Sequence, residues 1–165
     1  MRSDFVDKEP LNHLLYALTD ANRLVCCVAL ETGLRVGDIV SLKTADLQTK
    51  SFTLIEQKTG KKKKIKLREP LRSELLKQAG SLYVFEHRLD CTKHRTRQAV
   101  YRDIKRAAKL FRLRGNVTPH SMRKAYAVDL YKRTGDISKV QQALNHDNEL
   151  VTLLYALADK MKKSG

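Results

Sequence analysis

Leu144-Asn145-His146-Asp147-Asn148-Glu149-Leu150-Val151-Thr152-Leu153-Leu154-Tyr155 places a tyrosine nine residues after a histidine, close to the end of the chain. Upstream, His120-Ser121-Met122-Arg123 supplies a second histidine with an arginine three positions on, and Arg35 and Lys58 lie further back. Lys and Arg number 33 against 18 Asp and Glu, a formal net charge of +15. Together these residues supply what phosphoryl transfer without a metal requires: a nucleophile, positive clamps and proton carriers. Taken singly, each has a plainer reading. Tyr155 sits among Leu150, Val151, Leu153, Leu154 and Leu157 and reads as a core tyrosine. An arginine just after a helix stop is usually solvated, and a lone helical histidine is usually structural.

Outward from this stretch, Asp147 or Asn148 caps a last helix over 149–162, and Asp136 caps another over 137–144. Thr118-Pro119 starts a helix that runs to Arg133 and stops at Gly135. His120 and Arg123 therefore share one face at a helix N-terminus, a favourable place for an anion. Residues 96–113 read as a strongly basic amphipathic helix, 82–85 as a short strand, and 70–79 as a helix opened by Pro70 and stopped by Gly80. Ser51-Phe52-Thr53-Leu54-Ile55-Glu56 alternates, a basic turn follows, and Lys63, Ile65 and Leu67 share one face of the return strand, which predicts a β-hairpin. Helices are expected over 11–18, 21–31 and 34–42, the second apolar nearly all round and so central. The fold class expected is mainly α with a small antiparallel β-sheet (α+β): residues 1–10 form a lead-in, and 11–165 one domain.

A chain of 165 residues holds one well-buried domain by default. Its basic excess calls for a polyanion, with nucleic acid well ahead of a membrane surface. No apolar run approaches the ~20 residues of a spanning helix, and the first residues lack the apolar core of a secretory signal. Cys26, Cys27 and Cys91 offer neither a complete disulfide framework nor metal-ligand spacing with a histidine, which points to a reducing, cytoplasmic setting and to no metal.

Asp38, three residues after Arg35, is placed to brace its guanidinium, and a braced fork meets a phosphate with little entropy left to lose. In the basic hairpin, Lys58 and Lys61 to Lys64 leave five lysines in contention for donating a proton to a leaving oxygen. The others are expected to be solvated or to touch backbone phosphates, with Arg95 and Arg97 in the basic segment 93–114 as further expected contacts.

In order along the chain, these segments resemble the catalytic domain of the tyrosine recombinases, the phage integrase family, over residues 11–158. Thr32-Gly33-Leu34-Arg35 resembles the family's first-arginine box, Lys58 in Gln57-Lys58-Thr59-Gly60 its hairpin lysine, Thr118-Pro119-His120-Ser121-Met122-Arg123 its His-x-x-Arg box, and Leu144-Asn145-His146 its Leu-Gly-His box, with Tyr155 at the family's spacing. The resemblance implies that Tyr155 attacks a scissile phosphodiester to give a 3′-phosphotyrosyl link and a free 5′-hydroxyl. It implies that Arg35, Arg123 and His146 hold the non-bridging oxygens, that Lys58 protonates the departing oxygen, that His120 assists proton transfer, and that no cofactor is needed. Double-stranded DNA is the implied partner of a bacterial or phage-encoded, nucleoid-associated protein.

Two departures stand out. Asn145 replaces the usual glycine, a mild change because asparagine tolerates left-handed backbone, and Lys124 replaces a frequent histidine. The family's N-terminal core-binding domain is not in these residues. The expectation is therefore a monomer alone and a tetramer on DNA in the full-length context. Two rival readings are a type IB topoisomerase-like enzyme and a DNA-binding module without catalysis.

Overall fold

The computed structural model describes residues 3–145 and 147–163. Among them the chain forms α1 (Lys8–Ala17), α2 (Asp20–Thr32), α3 (Val36–Val40), a 3-10 turn (Thr44–Gln48), β1 (Ser51–Ile55), β2 (Lys62–Lys66), α4 (Glu69–Gln78), β3 (Glu86–His87), β4 (Asp90–His94), α5 (Arg97–Leu110), α6 (Pro119–Thr134), α7 (Ile137–Ala143) and α8 (Asn148–Lys163). The domain is mainly helical, as its patterning predicts.

α2 is the central element because apolar residues surround it. Leu24, Val25, Cys26, Val28 and Ala29 are buried, and the helix packs against α1, α3, α4, α5 and α6. Buried Asn22 at its start donates from Nδ2 to Asp103 of α5, whose carboxylate also accepts the Thr19 N–H and hydroxyl. That shared acceptor ties the α1–α2 junction to α5 and offsets the cost of burying these donors with hydrogen bonds. A second apolar cluster, with Ala127, Val128, Val140, Leu144, Leu150 and Leu154, joins α6, α7 and α8. Truncating a fully buried leucine such as Leu14 or Leu154 to alanine removes about 2–5 kcal/mol in sites of this kind.

The hairpin pairs β1 and β2 antiparallel, with Leu54 opposite Lys63 and Phe52 opposite Ile65. The sequence predicts one sheet, whereas the described residues hold two, each of two strands. The second joins β3 to β4 with an irregular register. Its residues, Glu86 to His94, mix charges without period-two alternation, so nothing local announces them as strands. The strand expected over 82–85 is a single bridge between Tyr83 and Lys43, with Val84 and Phe85 buried beside it. α5 stops at Leu110, short of the expected residue 113, and Arg112 just beyond it takes left-handed backbone at φ 50°. The lead-in is part of the domain rather than a separate segment. Asp4 exchanges hydrogen bonds with Asn116, and Val6 joins the core.

Candidate active site

Four segments meet around an open cleft of about 780 Å³: the α2–α3 turn, the hairpin turn, the N-terminus of α6, and the α7–α8 link. Local chemistry sets each one. Gly33 ends α2 in left-handed backbone at φ 67°, which turns the chain so that Arg35 caps α3. Tyr126 packs so tightly over Gly33 that a Cβ there would lie 2.4 Å from its ring. α6 begins in a reciprocal cap, in which Thr118 Oγ1 accepts the His120 N–H and Ser121 Oγ accepts the Thr118 N–H. Asn145 takes φ 52°, the left-handed conformation expected of it, and redirects the chain from α7 toward α8.

Among the described residues, Arg123 is the largest fully buried side chain, 1% exposed. Its Nη1 donates to Gly33 O at 2.8 Å, and its Nη2 donates to Leu144 O at 3.1 Å and to Asp147 Oδ2 at 3.3 Å. Arg35 donates to Glu56 Oε2 at 3.0 Å and to the same Asp147 oxygen at 3.4 Å. The two guanidiniums thus converge on one oxygen, each offering it a planar fork of donors. Glu56 is fully buried. Burial alone raises its pKa, but Asn145, the Thr59 hydroxyl and Arg35 outweigh that and hold the carboxyl below its ordinary range.

Asp38 does not brace Arg35. Its carboxylate accepts the Gln57 N–H at 2.9 Å and so ties α3 to the hairpin, while Glu56 and Asp147 take the guanidinium. Burial, the main cause, raises the pKa of Asp38. Lys58 is exposed at the hairpin turn and lines the cleft with Arg35, His120 and Arg123. His120 Nε2 lies 3.6 Å from Glu149 Oε2. Burial pushes the imidazole below its ordinary pKa, against the opposing pull of Glu149 and Asp147, which favours the neutral form able to take up a proton.

His146 lies outside the described residues. Tyr155 is not among the residues that line the cleft. The residue is 56% exposed, because α8 turns Leu150 and Leu154 inward and sets Tyr155 off that face. The core-tyrosine reading therefore gives way to an accessible hydroxyl. Of the proposed DNA contacts, Lys61, Lys62 and Lys64 are exposed, and Arg97 lies at the cleft rim against Gly37. Arg95 is half-buried with a shielded Nε. Lys63 turns inward and donates from Nζ to Thr32 O at 3.1 Å, so it is an internal tie rather than a surface contact.

Sequence reasoning passes over Glu56 and Asp147. One signal for Glu56 was present: period-two alternation from Phe52 and Leu54 puts position 56 inward, and a buried carboxylate demands a cation. Asp147 carries no such signal, because its partners lie 112 and 24 positions away.

The arrangement can seat a tetrahedral anion between two arginines and move protons on either side of it. The family model described as "Phage integrase family" matches residues 4–162. A probable integrase/recombinase, YoeC of Bacillus subtilis, is 30% identical over 135 residues, which cover 79% of this chain and 74% of that protein. A tyrosine recombinase of Thermosipho africanus is 27% identical over 170 residues, which cover 96% of this chain and 59% of that protein. A lambda integrase tetramer bound to a Holliday junction superposes with a TM-score of 0.72 at 22% identity, over 89% of this chain and 46% of that chain. The shared fold and the family match over almost the whole length lead to one conclusion: the chain belongs to the phage integrase family, the tyrosine recombinases.

Proposed function

We propose that this chain is the catalytic domain of a site-specific DNA recombinase, which breaks and rejoins strands through a 3′-phosphotyrosyl intermediate on Tyr155. The observation that carries the reading is the meeting of Arg35 and Arg123 on a single anionic oxygen, at 3.4 and 3.3 Å, in a cleft shared with Lys58 and His120. In this reading a scissile phosphate takes the seat that Asp147 holds, and its non-bridging oxygens bond to Arg35, Arg123 and His146. The Tyr155 oxygen attacks phosphorus and gives its proton to neutral His120. The bond from phosphorus to the 5′-oxygen breaks, and Lys58 protonates that oxygen. The new phosphotyrosyl ester conserves the energy of the broken link, so a 5′-hydroxyl can reverse the step.

Tyr155 lies about 10 Å along the helix from the start of α8, so the reading requires α8 to move when DNA binds. The chain acts as one catalytic domain into which the lead-in residues pack, with duplex DNA as the partner in the bacterial cytoplasm or nucleoid. The chain by itself is a monomer, and in the full-length context the protein is a tetramer on DNA. Support comes from the net charge of +15 and from the lambda integrase tetramer on its junction. The test is covalent capture on a nicked duplex whose short cleaved fragment diffuses away. A protein–DNA adduct stable to denaturant supports the reading, and simple retention without an adduct contradicts it.

A further inference from the structure

The hairpin lysines do not share one fate. Lys61, Lys62 and Lys64 face solvent, whereas Lys63 lies on the inward face of β2 with Ile65 and Leu67, each 2% exposed. Its ammonium reaches the carbonyl of Thr32, the last residue of α2. That carbonyl is one of the helix-end acceptors left without a partner along the helix, and a cation is the favoured donor there. The next carbonyl, of Gly33, is taken by Arg123. Two cations, from β2 and from α6, thus grip adjacent carbonyls of the turn that leads into Arg35.

The strand position is costly for a lysine. Burial, with Arg123 as the next cause, pushes the ammonium down to about 8, and Glu56 only partly opposes this. Arg35 and Asp38 also act on it, and Glu31, Tyr126 and Lys139 line the same hollow. A methionine or leucine would pack on this face without that cost. What the ammonium adds is a bond between the hairpin, which carries Lys58 and Glu56, and the turn that carries Arg35.

We propose that Lys63 is a positioning residue for strand cleavage: by clamping the hairpin to the α2–α3 turn, it holds Arg35 in place beside Arg123 at the anion seat as well as the Lys58 acid across from it, so that its loss displaces an anion clamp and not the acid alone. The inference rests on the recombinase reading above. It also removes Lys63 from the DNA-contacting surface.

The experiment compares the 165-residue chain with K63M, K63R and K58A. The substrate is a nicked duplex selected from a randomised pool by covalent capture with the unaltered protein, made with oxygen or with sulfur at the bridging 5′ position. K63M is expected to slow single-turnover adduct formation by up to about 100-fold on both substrates, the scale of a small misplacement of catalytic groups. DNA affinity and its salt slope stay unchanged, and K63R recovers most of the rate. K58A is slow on the oxygen substrate alone, because a thiolate leaves without a proton.

An adduct formed equally fast by K63M overturns the role of Lys63 and leaves the recombinase reading standing. A salt slope reduced by about one makes Lys63 a phosphate contact, and full rescue of K63M by sulfur makes it the acid. Either result overturns the proposal. If K63M does not melt cooperatively, K63R decides: a rate near that of the unaltered chain supports the clamp, and one as low as K58A overturns it. An unaltered protein that captures nothing from the pool overturns both readings.

Discussion

Arg35 and Arg123 share one oxygen of Asp147, which lies 3.4 Å from Nη2 of the first and 3.3 Å from Nη2 of the second. A carboxylate oxygen held this way mimics a non-bridging phosphate oxygen in charge and in hydrogen bonding. On the proposed reading, Asp147 and a DNA phosphate compete for the same donors. Asp147→Asn removes the competing charge and keeps the shape. The variant is expected to bind duplex DNA roughly tenfold more tightly, since a charge-assisted hydrogen bond is worth about 1.5–3 kcal/mol. Titration by fluorescence anisotropy checks this, and equal or weaker affinity counts against the shared seat.

Gly33 sits at φ 67° with the Tyr126 ring in the space that a Cβ needs. Gly33→Ala is expected to destabilise the fold by about 1–3 kcal/mol from backbone strain alone, with the steric clash in addition. It also shifts the carbonyl that holds Arg123. Chemical denaturation measures the loss. Adding Tyr126→Leu is expected to recover part of it, and strict additivity of the two changes would deny the contact.

Duplex binding is expected to weaken steeply with salt, because each neutralised phosphate releases counterions. Replacing Lys61, Lys62 and Lys64 together by alanine lowers the slope of log affinity against log salt by up to about 0.9 per lysine in contact. A slope equal to that of the unaltered chain places the DNA elsewhere on the surface.

Lys63 titrates at about 8 in the folded chain against an ordinary lysine value of 10.5. Between those values the unfolded chain binds more protons than the folded one, so this group makes stability rise with pH across the window from about 8 to 10.5. Below the window the charged, half-buried ammonium counts against folding. The stability of the unaltered chain relative to K63M is therefore expected to increase from pH 8 to 10.5, as followed by urea denaturation at several pH values. A constant difference across that range shows that Lys63 is not depressed.

The parts of the site that were legible in the sequence are those whose signals are local. Thr118 and Pro119 announce the start of α6, and helical spacing then puts His120 and Arg123 on one face. The tolerance of asparagine for left-handed backbone fits Asn145 at φ 52°. Long-range pairing has no such signal. Nothing near Arg35 indicates that its partners are Glu56 and Asp147, 21 and 112 positions away, so nearby Asp38 looks like the brace. Lys63 shows both sides. Alternation puts it on the inward face, yet a run of lysines reads as solvated until Thr32 O is found at its tip. β3 and β4 escaped because their pairing rests on backbone bonds between half-buried, mixed-charge residues without alternation.

The central claim is that Tyr155 is the nucleophile, although it is exposed and stands outside the cleft. The most direct measurement is the identity of the tyrosine that carries DNA. After capture on the nicked duplex and digestion with nuclease and protease, mass spectrometry locates the residue that bears the 3′-nucleotide. The account predicts an adduct on Tyr155 that is abolished by Tyr155→Phe, with duplex affinity unchanged. An adduct on Tyr126 or Tyr131, or one that persists in Tyr155→Phe, contradicts it.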